Sequence, residues 1–182
     1  MNEYVMKNKT TIVCGFPGIG KSYLFNNKEL LCPTEYQSTN VFDSDSSKFS
    51  WISPGIRHPD FPNNYIEHLK TLNGIALCST HIDVRQLLTA NNMSYVLVYP
   101  SIDCKEEYIQ RYVKRNSPES FITLLNNNYY QWVNELEQVN QGDCIKVELT
   151  PNKTLTDAYL SVIYPLHNNF CMKLPVNNKY TI

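Results

Sequence analysis

Residues 10–22 of the chain read TTIVCGFPGIGKS. The first five are mostly β-branched and predict a short strand. The next eight, Gly15 to Ser22, have the spacing G-x-x-x-x-G-K-S of a phosphate-binding P-loop, and the segment from Lys21 to Phe25 can open a helix. A glycine loop between a strand and a helix is the structural context that this motif requires.

The residue types of this loop suit a polyphosphate. Glycines allow a positive φ and let backbone N–H groups approach phosphate oxygens, and the N-terminus of the following helix attracts anions. We expect Lys21 to be exposed and to reach the β- and γ-phosphates, and the Ser22 hydroxyl to bind Mg²⁺. The alternative is a glycine turn that happens to precede a lysine. The sequence favours ATP with Mg²⁺, bound by Gly15, Phe16, Pro17, Gly18, Ile19, Gly20, Lys21, Ser22 and Tyr23.

The size and charge of the chain limit its class. Its 182 residues predict one domain, 1–182, with a sizeable core. A net charge of −1 indicates no overall attraction to nucleic acid or to an anionic membrane, although a local basic strip is compatible with it. The sequence has no apolar run of membrane-spanning length and no secretory pattern, which predicts a soluble, cytoplasmic protein. Cys14, Cys78 and Cys144 are expected to be reduced and buried.

Strand-like and helix-like segments alternate along the chain, which predicts an α/β fold with a parallel sheet and helices on both faces. Asp103 is the expected N-cap of the helix after the fourth strand, and the tail at 165–182 has no assigned structure. The predicted strands span about Thr10–Gly15, Asn40–Asp43, Gly74–Thr80, Tyr95–Tyr99 and Cys144–Leu149. The predicted helices cover about Asp83–Leu88, Ile102–Lys114, Phe121–Leu136 and Leu155–Ile163.

Two aspartates stand where the second strand ends. A carboxylate at this position can hold Mg²⁺ through water, or accept a proton from an attacking hydroxyl. The alternative for Asp43 and Asp45 is turn chemistry, because Asp-Ser-Asp is a good loop starter. The neighbouring P-loop favours the functional interpretation, without deciding which of the two aspartates acts.

Arg111 and Arg115 lie four residues apart on one face of a predicted helix. Cations over a transferring phosphoryl group would offset its negative charge in the transition state. The alternative is a solvated helix face on which Glu107 and Arg111 form an ion pair. The sequence leaves both interpretations open.

The irregular stretch Ser46–Tyr65 leaves the sheet at the edge where open parallel sheets bind ligands, and so does Arg115–Glu119. Both are candidate lids. Arg57 could bind an acceptor phosphate, and aromatic residues of the first stretch could stack on a base or simply pack the loop. These aromatic residues are Phe49, Trp51 and Tyr65. His81, at the end of the third strand, is expected to be structural.

Together these features resemble the P-loop kinases of the nucleoside monophosphate kinase group, over most of the chain to about Leu149. The resemblance implies a three-layer fold with a five-stranded parallel sheet in the order 2-3-1-4-5. It implies an acceptor-binding region at about 46–70 and an arginine-bearing lid at about 105–120. The stretch from Tyr95 to Trp132 is also similar to small phage and bacterial nucleotide-kinase-like proteins. The implied activity is transfer of the γ-phosphoryl group of ATP to a nucleotide or nucleoside.

The sequence departs from that group after the third strand. The group usually carries an Asp-Gly-x-Pro-Arg-like sequence there, whereas this chain reads CSTHID at 78–83. The Asp-Ser-Asp at 43–45 looks more like kinases that phosphorylate a hydroxyl, such as shikimate-type kinases and the bacteriophage polynucleotide kinase. The second hypothesis is therefore a kinase of a 5′-hydroxyl polynucleotide end or of a small-metabolite hydroxyl. The third is a nucleotide-dependent binding module or switch without an acceptor.

Overall fold

The computed structural model describes residues 10–31, 34, 39–140, 142, 144–168 and 179–182, and the expectations for the remaining residues lie outside this part. The fold is α/β, with a parallel sheet flanked by helices. The strands are β1 (Thr10–Gly15), β2 (Val41–Asp43), β3 (Trp51–Ser53), β4 (Ile56–Arg57), β5 (Gly74–Ser79), β6 (Tyr95–Pro100), β7 (Cys144–Leu149) and β8 (Lys179–Thr181).

The helices alternate with these strands. They are α1 (Lys21–Leu31), α2 (Ser47–Ser50), α3 (Asn63–Thr71), α4 (Ile82–Ala90), α5 (Lys105–Lys114), α6 (Glu119–Glu137), α7 (Leu155–Ala158) and α8 (Tyr164–His167). A 3₁₀ turn, Ile102–Cys104, precedes α5, and a π-helical turn, Tyr159–Ile163, joins α7 to α8. Within the described part of the chain, none of the helices combines the length and the apolar character needed to cross a membrane.

The main sheet has six strands in the order β2-β5-β1-β6-β7-β8, and every neighbouring pair is parallel. This corrects the expected five-stranded sheet of order 2-3-1-4-5. The five predicted strands are β2, β5, β1, β6 and β7, and β8 is added beside β7 at the edge. A strand of three residues is too short to show a period in the sequence, so the tail gave no signal for β8.

The central strands form the core. All six residues of β1 and all six of β6 are buried, as are the first five of β5. Strands covered on both faces need apolar side chains at every position, which is why these segments are nearly continuous apolar runs. The cysteines at positions 14, 78, 104 and 144 are buried free thiols, in agreement with the expectation for three of them.

Strand register brings the ends of three strands to one edge. Gly15 at the end of β1 is level with Ser79 of β5 on one side and with Val98 of β6 on the other. Asp43 at the end of β2 is level with Leu77 of β5. The glycine loop and the Asp43 segment therefore leave the sheet at the same carboxyl edge.

Three local expectations are corrected. Asp103 is not an N-cap, because it lies inside the 3₁₀ turn that tucks Cys104 into the core, and α5 begins only at Lys105. The irregular stretch Ser46–Tyr65 contains α2, a β3–β4 hairpin and the start of α3. Gly55, at φ +79° after a proline, makes the hairpin turn. The last helical run continues past Ile163 to His167.

Candidate functional site

The glycine loop is anchored by its apolar residues. Phe16 and Ile19 are buried, and the Phe16 N–H donates to the Val98 carbonyl at 2.9 Å. The Phe16 ring packs edge-on against Tyr108 and Tyr129, with ring centroids 5.8 and 5.7 Å apart. The side chains of Phe16 and Ile19 thus fix the loop on the core, so any contact with a ligand there falls to the backbone.

Two glycines give the loop its shape. Gly18 has a φ of +83° and Gly20 a φ of +102°, a region that side chains disfavour. A Cβ on Gly18 would lie 2.9 Å from Cε2 of Tyr112, which packs over the loop. A Cβ on Gly20 would meet nothing within 4 Å. The loop is therefore covered at Gly18 and open at Gly20.

The open side of the loop presents backbone donors. Among the described residues, the N–H groups of Gly18, Gly20, Lys21 and Ser22 donate to no protein acceptor. The Leu24 N–H makes the first bond of α1, to the Gly20 carbonyl at 2.9 Å. The unengaged N–H groups and the positive end of the α1 dipole therefore lie together, which is the composition of an anion site.

Lys21 is half-buried, so the expectation that it is exposed is wrong. Its Nζ donates to the Gly15 carbonyl at 2.6 Å and to the Phe16 carbonyl at 3.3 Å. Burial lowers the pKa of Lys21 to about 8, while the charges of Asp43 and Asp45 act to raise it. The amine therefore lies inside the loop, where two carbonyls of the loop itself accept its hydrogen bonds. Ser22 and Tyr23, the next residues, are exposed.

The two aspartates have different surroundings. Asp45 is exposed, and its Oδ1 accepts the Ser47 N–H at 2.9 Å, which is the turn chemistry named as the alternative. Asp43 is half-buried at the end of β2, and within the described residues its carboxylate accepts no hydrogen bond. Asp43 is therefore the less engaged carboxylate at the loop edge.

Arg111 contacts the glycine loop directly. One guanidinium nitrogen donates to the Gly18 carbonyl at 3.0 Å, and the other donates to the Lys153 carbonyl at 3.0 Å and to Glu107 at 2.5 Å. Glu107 also accepts the Asn152 N–H at 2.9 Å. The Glu107–Arg111 pair thus ties α5 to the loop and to the segment after β7.

The rest of the predicted lid, 105–120, is helix α5, a four-residue link and the start of α6. Arg115 is exposed and stacks on the Tyr112 ring, 5.2 Å from its centroid. Within the described residues, no contact places Arg111 or Arg115 at the open side of the loop. The catalytic roles of Arg111 and Arg115 remain predictions.

Sequence reasoning missed the tyrosines that cover the loop. The Arg111 guanidinium lies 4.4 Å from the Tyr108 ring centroid, and the Tyr108 hydroxyl is buried without a hydrogen-bond partner among the described residues. Tyr112 closes over Gly18 one helical turn further on. The spacing of these tyrosines by four was the available signal, but such spacing also marks an ordinary core face.

A pocket of about 160 Å³ lies on the other side of the site, between the hairpin and the start of α4. Arg57 donates to Asp83 at 2.9 Å, and its guanidinium lies 5.0 Å from the Phe61 ring centroid. Trp51 is opposite Arg57 in the hairpin and is 48% exposed. The pocket is lined by Ser47, Ser50, Trp51, Arg57, Phe61, His81, Ile82 and Asp83.

The aromatic residues of this region divide into two groups. Trp51 lines the pocket, whereas Tyr65 is fully buried and donates to the Ser44 carbonyl at 2.6 Å. Phe49 packs between Tyr65 and His68 at ring-centroid distances of 5.1 and 4.6 Å. Phe49 and Tyr65 therefore pack the loop, which was the alternative to stacking on a base. Trp51 is exposed, so its ring is the one of the three that a ligand could reach.

His81 lies in the wall of the pocket, beyond the carboxyl end of β5. Burial lowers the pKa of His81; the charges of Asp83 and Asp45 act to raise this pKa, and those of Arg57 and Lys21 act to lower it further. These four groups come from α4, β4, the segment after β2 and the glycine loop. His81 therefore lies where the sequence places it, at the carboxyl end of the third predicted strand, and its contribution to the pocket wall is what the structure adds.

The described residues contain no group of three or more histidine, cysteine or acidic side chains able to hold a metal ion. A scan of the sequence against models of known protein families finds no match. A search of curated proteins finds none either. The resemblance to P-loop kinases therefore depends on the motif and on the site described above, and it remains a prediction.

Proposed function

We propose that the chain is an ATP-dependent phosphotransferase that moves the γ-phosphoryl group to a nucleotide or nucleoside acceptor. The observation that carries the proposal is the set of N–H groups at Gly18, Gly20, Lys21 and Ser22, which donate to no acceptor in the described residues. Of the three loop glycines, Gly20 is the one at which an added Cβ meets nothing within 4 Å. Donors arranged in this way at a helix N-terminus bind phosphate.

The residues of this edge fit a nucleoside triphosphate with Mg²⁺. The loop amides would hold phosphate oxygens, and the Lys21 amine would exchange its two carbonyl acceptors for the β- and γ-phosphates. The Ser22 hydroxyl would supply an oxygen to Mg²⁺. One or two protein oxygens suffice, because this ion keeps several waters and also binds the phosphates. When bound, it neutralises charge on the transferring group.

The acceptor side is supported by the pocket beside the hairpin. Its wall residue His81 follows β5, the strand that pairs with β1 and so adjoins the glycine loop. In phosphoryl transfer the protein mainly positions its two substrates and stabilises charge, so a donor loop next to an acceptor pocket is sufficient. Arg111 contributes by fixing the loop at the Gly18 carbonyl.

Calorimetry with Mg·ATP, followed by ADP release with a panel of nucleosides and nucleoside monophosphates, tests the proposal. We expect binding of Mg·ATP and turnover that depends on an acceptor. Lys21→Ala should abolish both, whereas Lys114→Ala, at the exposed end of α5, should alter neither. No heat of Mg·ATP binding, or an active Lys21→Ala variant, would refute the assignment. Nucleotide binding without turnover on any acceptor would favour a switch instead.

A further inference from the structure

Resting on the proposed function, we propose that the acceptor is an unphosphorylated alcohol bearing one uncharged aromatic ring of pyrimidine size. The ring occupies the pocket between the β3–β4 hairpin and α4. The hydroxyl of the acceptor points toward the glycine loop.

The volume of the pocket suits a single ring. It measures about 160 Å³. A protein cavity of about 150 Å³ accommodates benzene, so this pocket takes one six-membered ring with small substituents. A fused two-ring base is larger than the benzene that a cavity of similar volume accommodates. We therefore expect the pocket to favour pyrimidine-sized acceptors over purine-sized ones.

The walls of the pocket offer both apolar faces and polar groups. Trp51, Phe61 and Ile82 give flat or apolar surface on which a ring packs. Arg57 supplies donors and Asp83 supplies acceptors at one end. A ring whose edge carries both donors and acceptors, as a pyrimidine base does, matches this pairing. A purely apolar ring would leave it unused.

The charge of the pocket disfavours a phosphate on the acceptor. Its lining contains one cation, Arg57, and that cation is already paired with Asp83 at 2.9 Å. Burial lowers the pKa of His81, which keeps this imidazole neutral at pH 7. A monophosphate dianion is bound most strongly by an arginine or lysine that is not already paired with a carboxylate. The pair therefore neutralises the pocket, and a nucleoside fits it better than a nucleotide.

The transfer step is balanced without a further reactant. The acceptor oxygen forms a bond to the γ-phosphorus of the donor, while the bond from that phosphorus to the β–γ bridging oxygen breaks and its electron pair leaves with ADP. The hydroxyl proton passes to the Asp43 carboxylate, which accepts no other hydrogen bond within the described residues. A hydroxyl acceptor needs such a base, whereas a phosphate dianion does not.

The test compares cytidine, cytidine 5′-monophosphate and adenosine by calorimetry, without and with a non-hydrolysable ATP analogue, and then by ADP release. We expect cytidine to bind at least tenfold more tightly than either of the others and to be the best acceptor. Trp51→Ala should weaken cytidine binding at least tenfold, whereas Ile52→Ala, exposed on the same hairpin outside the pocket lining, should not change it.

A second variant tests the charge argument. Asp83→Asn leaves Arg57 without its anionic partner, so the affinity for cytidine 5′-monophosphate should rise relative to that for cytidine. An unchanged ratio, or a wild-type preference for the monophosphate, overturns the inference. Equal effects of the two hairpin variants, or tight binding of adenosine, also overturn it. If a nucleoside monophosphate is phosphorylated with Mg·ATP but no nucleoside binds, the acceptor class is wrong and the phosphotransferase stands. If Mg·ATP does not bind, the proposed function fails.

Discussion

Replacing Gly20 by alanine tests the glycine loop with little disturbance of the fold. The residue has a φ of +102°, and a Cβ added there meets no heavy atom within 4 Å. The substitution therefore adds backbone strain but no clash. Its methyl group would stand in the open space beside the unengaged N–H groups, where a phosphate would bind in the proposed function.

The chain contains a matched control. Gly55, in the hairpin turn, has a φ of +79°, and its added Cβ also meets nothing within 4 Å. A non-glycine residue in this region costs about 1–3 kcal/mol, so both variants should lose a similar free energy of unfolding. In the proposed function, only Gly20→Ala would also remove hydrogen bonds to a charged phosphate. Loss of two such bonds, at about 1.5–3 kcal/mol each, weakens binding by roughly 100-fold or more.

The assay pairs calorimetry with urea denaturation. Mg·ATP is titrated into wild type, Gly20→Ala and Gly55→Ala, and the unfolding free energy of each is measured without nucleotide. We expect similar stability losses in both variants and a loss of affinity in Gly20→Ala alone. Unchanged affinity in Gly20→Ala, or an equal loss in Gly55→Ala, would refute the assignment of the loop as the phosphate site.

Three further outcomes follow from contacts elsewhere. Arg111→Ala removes hydrogen bonds to two carbonyls and should lower the free energy of unfolding in urea by about 2–4 kcal/mol. The exposed control Arg115→Ala should lower it by less than about 1 kcal/mol, and equal losses would contradict the role of Arg111 in holding α5 to the glycine loop. Burial lowers the pKa of His81 and His167 below 6.5, so the unfolded chain binds more protons and stability should fall as pH drops from 6.5 to 5. Replacing both histidines by asparagine should reduce the dependence of stability on pH, and an unchanged dependence would contradict its assignment to His81 and His167. Thr154→Ala removes the capping box of α7 and should cost about 1 kcal/mol in thermal unfolding, whereas Thr154→Ser should cost less; equal losses contradict the cap.

The main strands and the loop were predictable because their signals are local. A run such as 95–99 is apolar at every position, and its short length between turn residues favours a strand covered on both faces over a buried helix. The P-loop spacing likewise fixes residue types within eight positions. In both cases the determining residues are neighbours in the sequence, so a single sequence is sufficient to find them.

The contacts that complete the site join residues far apart in the chain. Arg111 bonds the Gly18 carbonyl across 93 positions, and Arg57 pairs with Asp83 across 26. A sequence specifies that an arginine is present but not which of several carboxylates or carbonyls it meets. For the same reason the burial of Lys21 was missed, because the motif defines the residue and not the carbonyls that surround its amine.

The two regions expected to act as lids differ in how firmly they are held. Helix α5 is hydrogen-bonded to the loop through Arg111 and to the segment after β7 through Glu107. Its Tyr112 also packs over Gly18. The base of the hairpin meets α4 through the Arg57–Asp83 pair, which is about half exposed on both sides and so contributes only about 0–1 kcal/mol. Helix α5 therefore belongs to the rigid support of the glycine loop. The hairpin, which belongs to a separate two-stranded sheet, is the more weakly held of the two elements beside the candidate site.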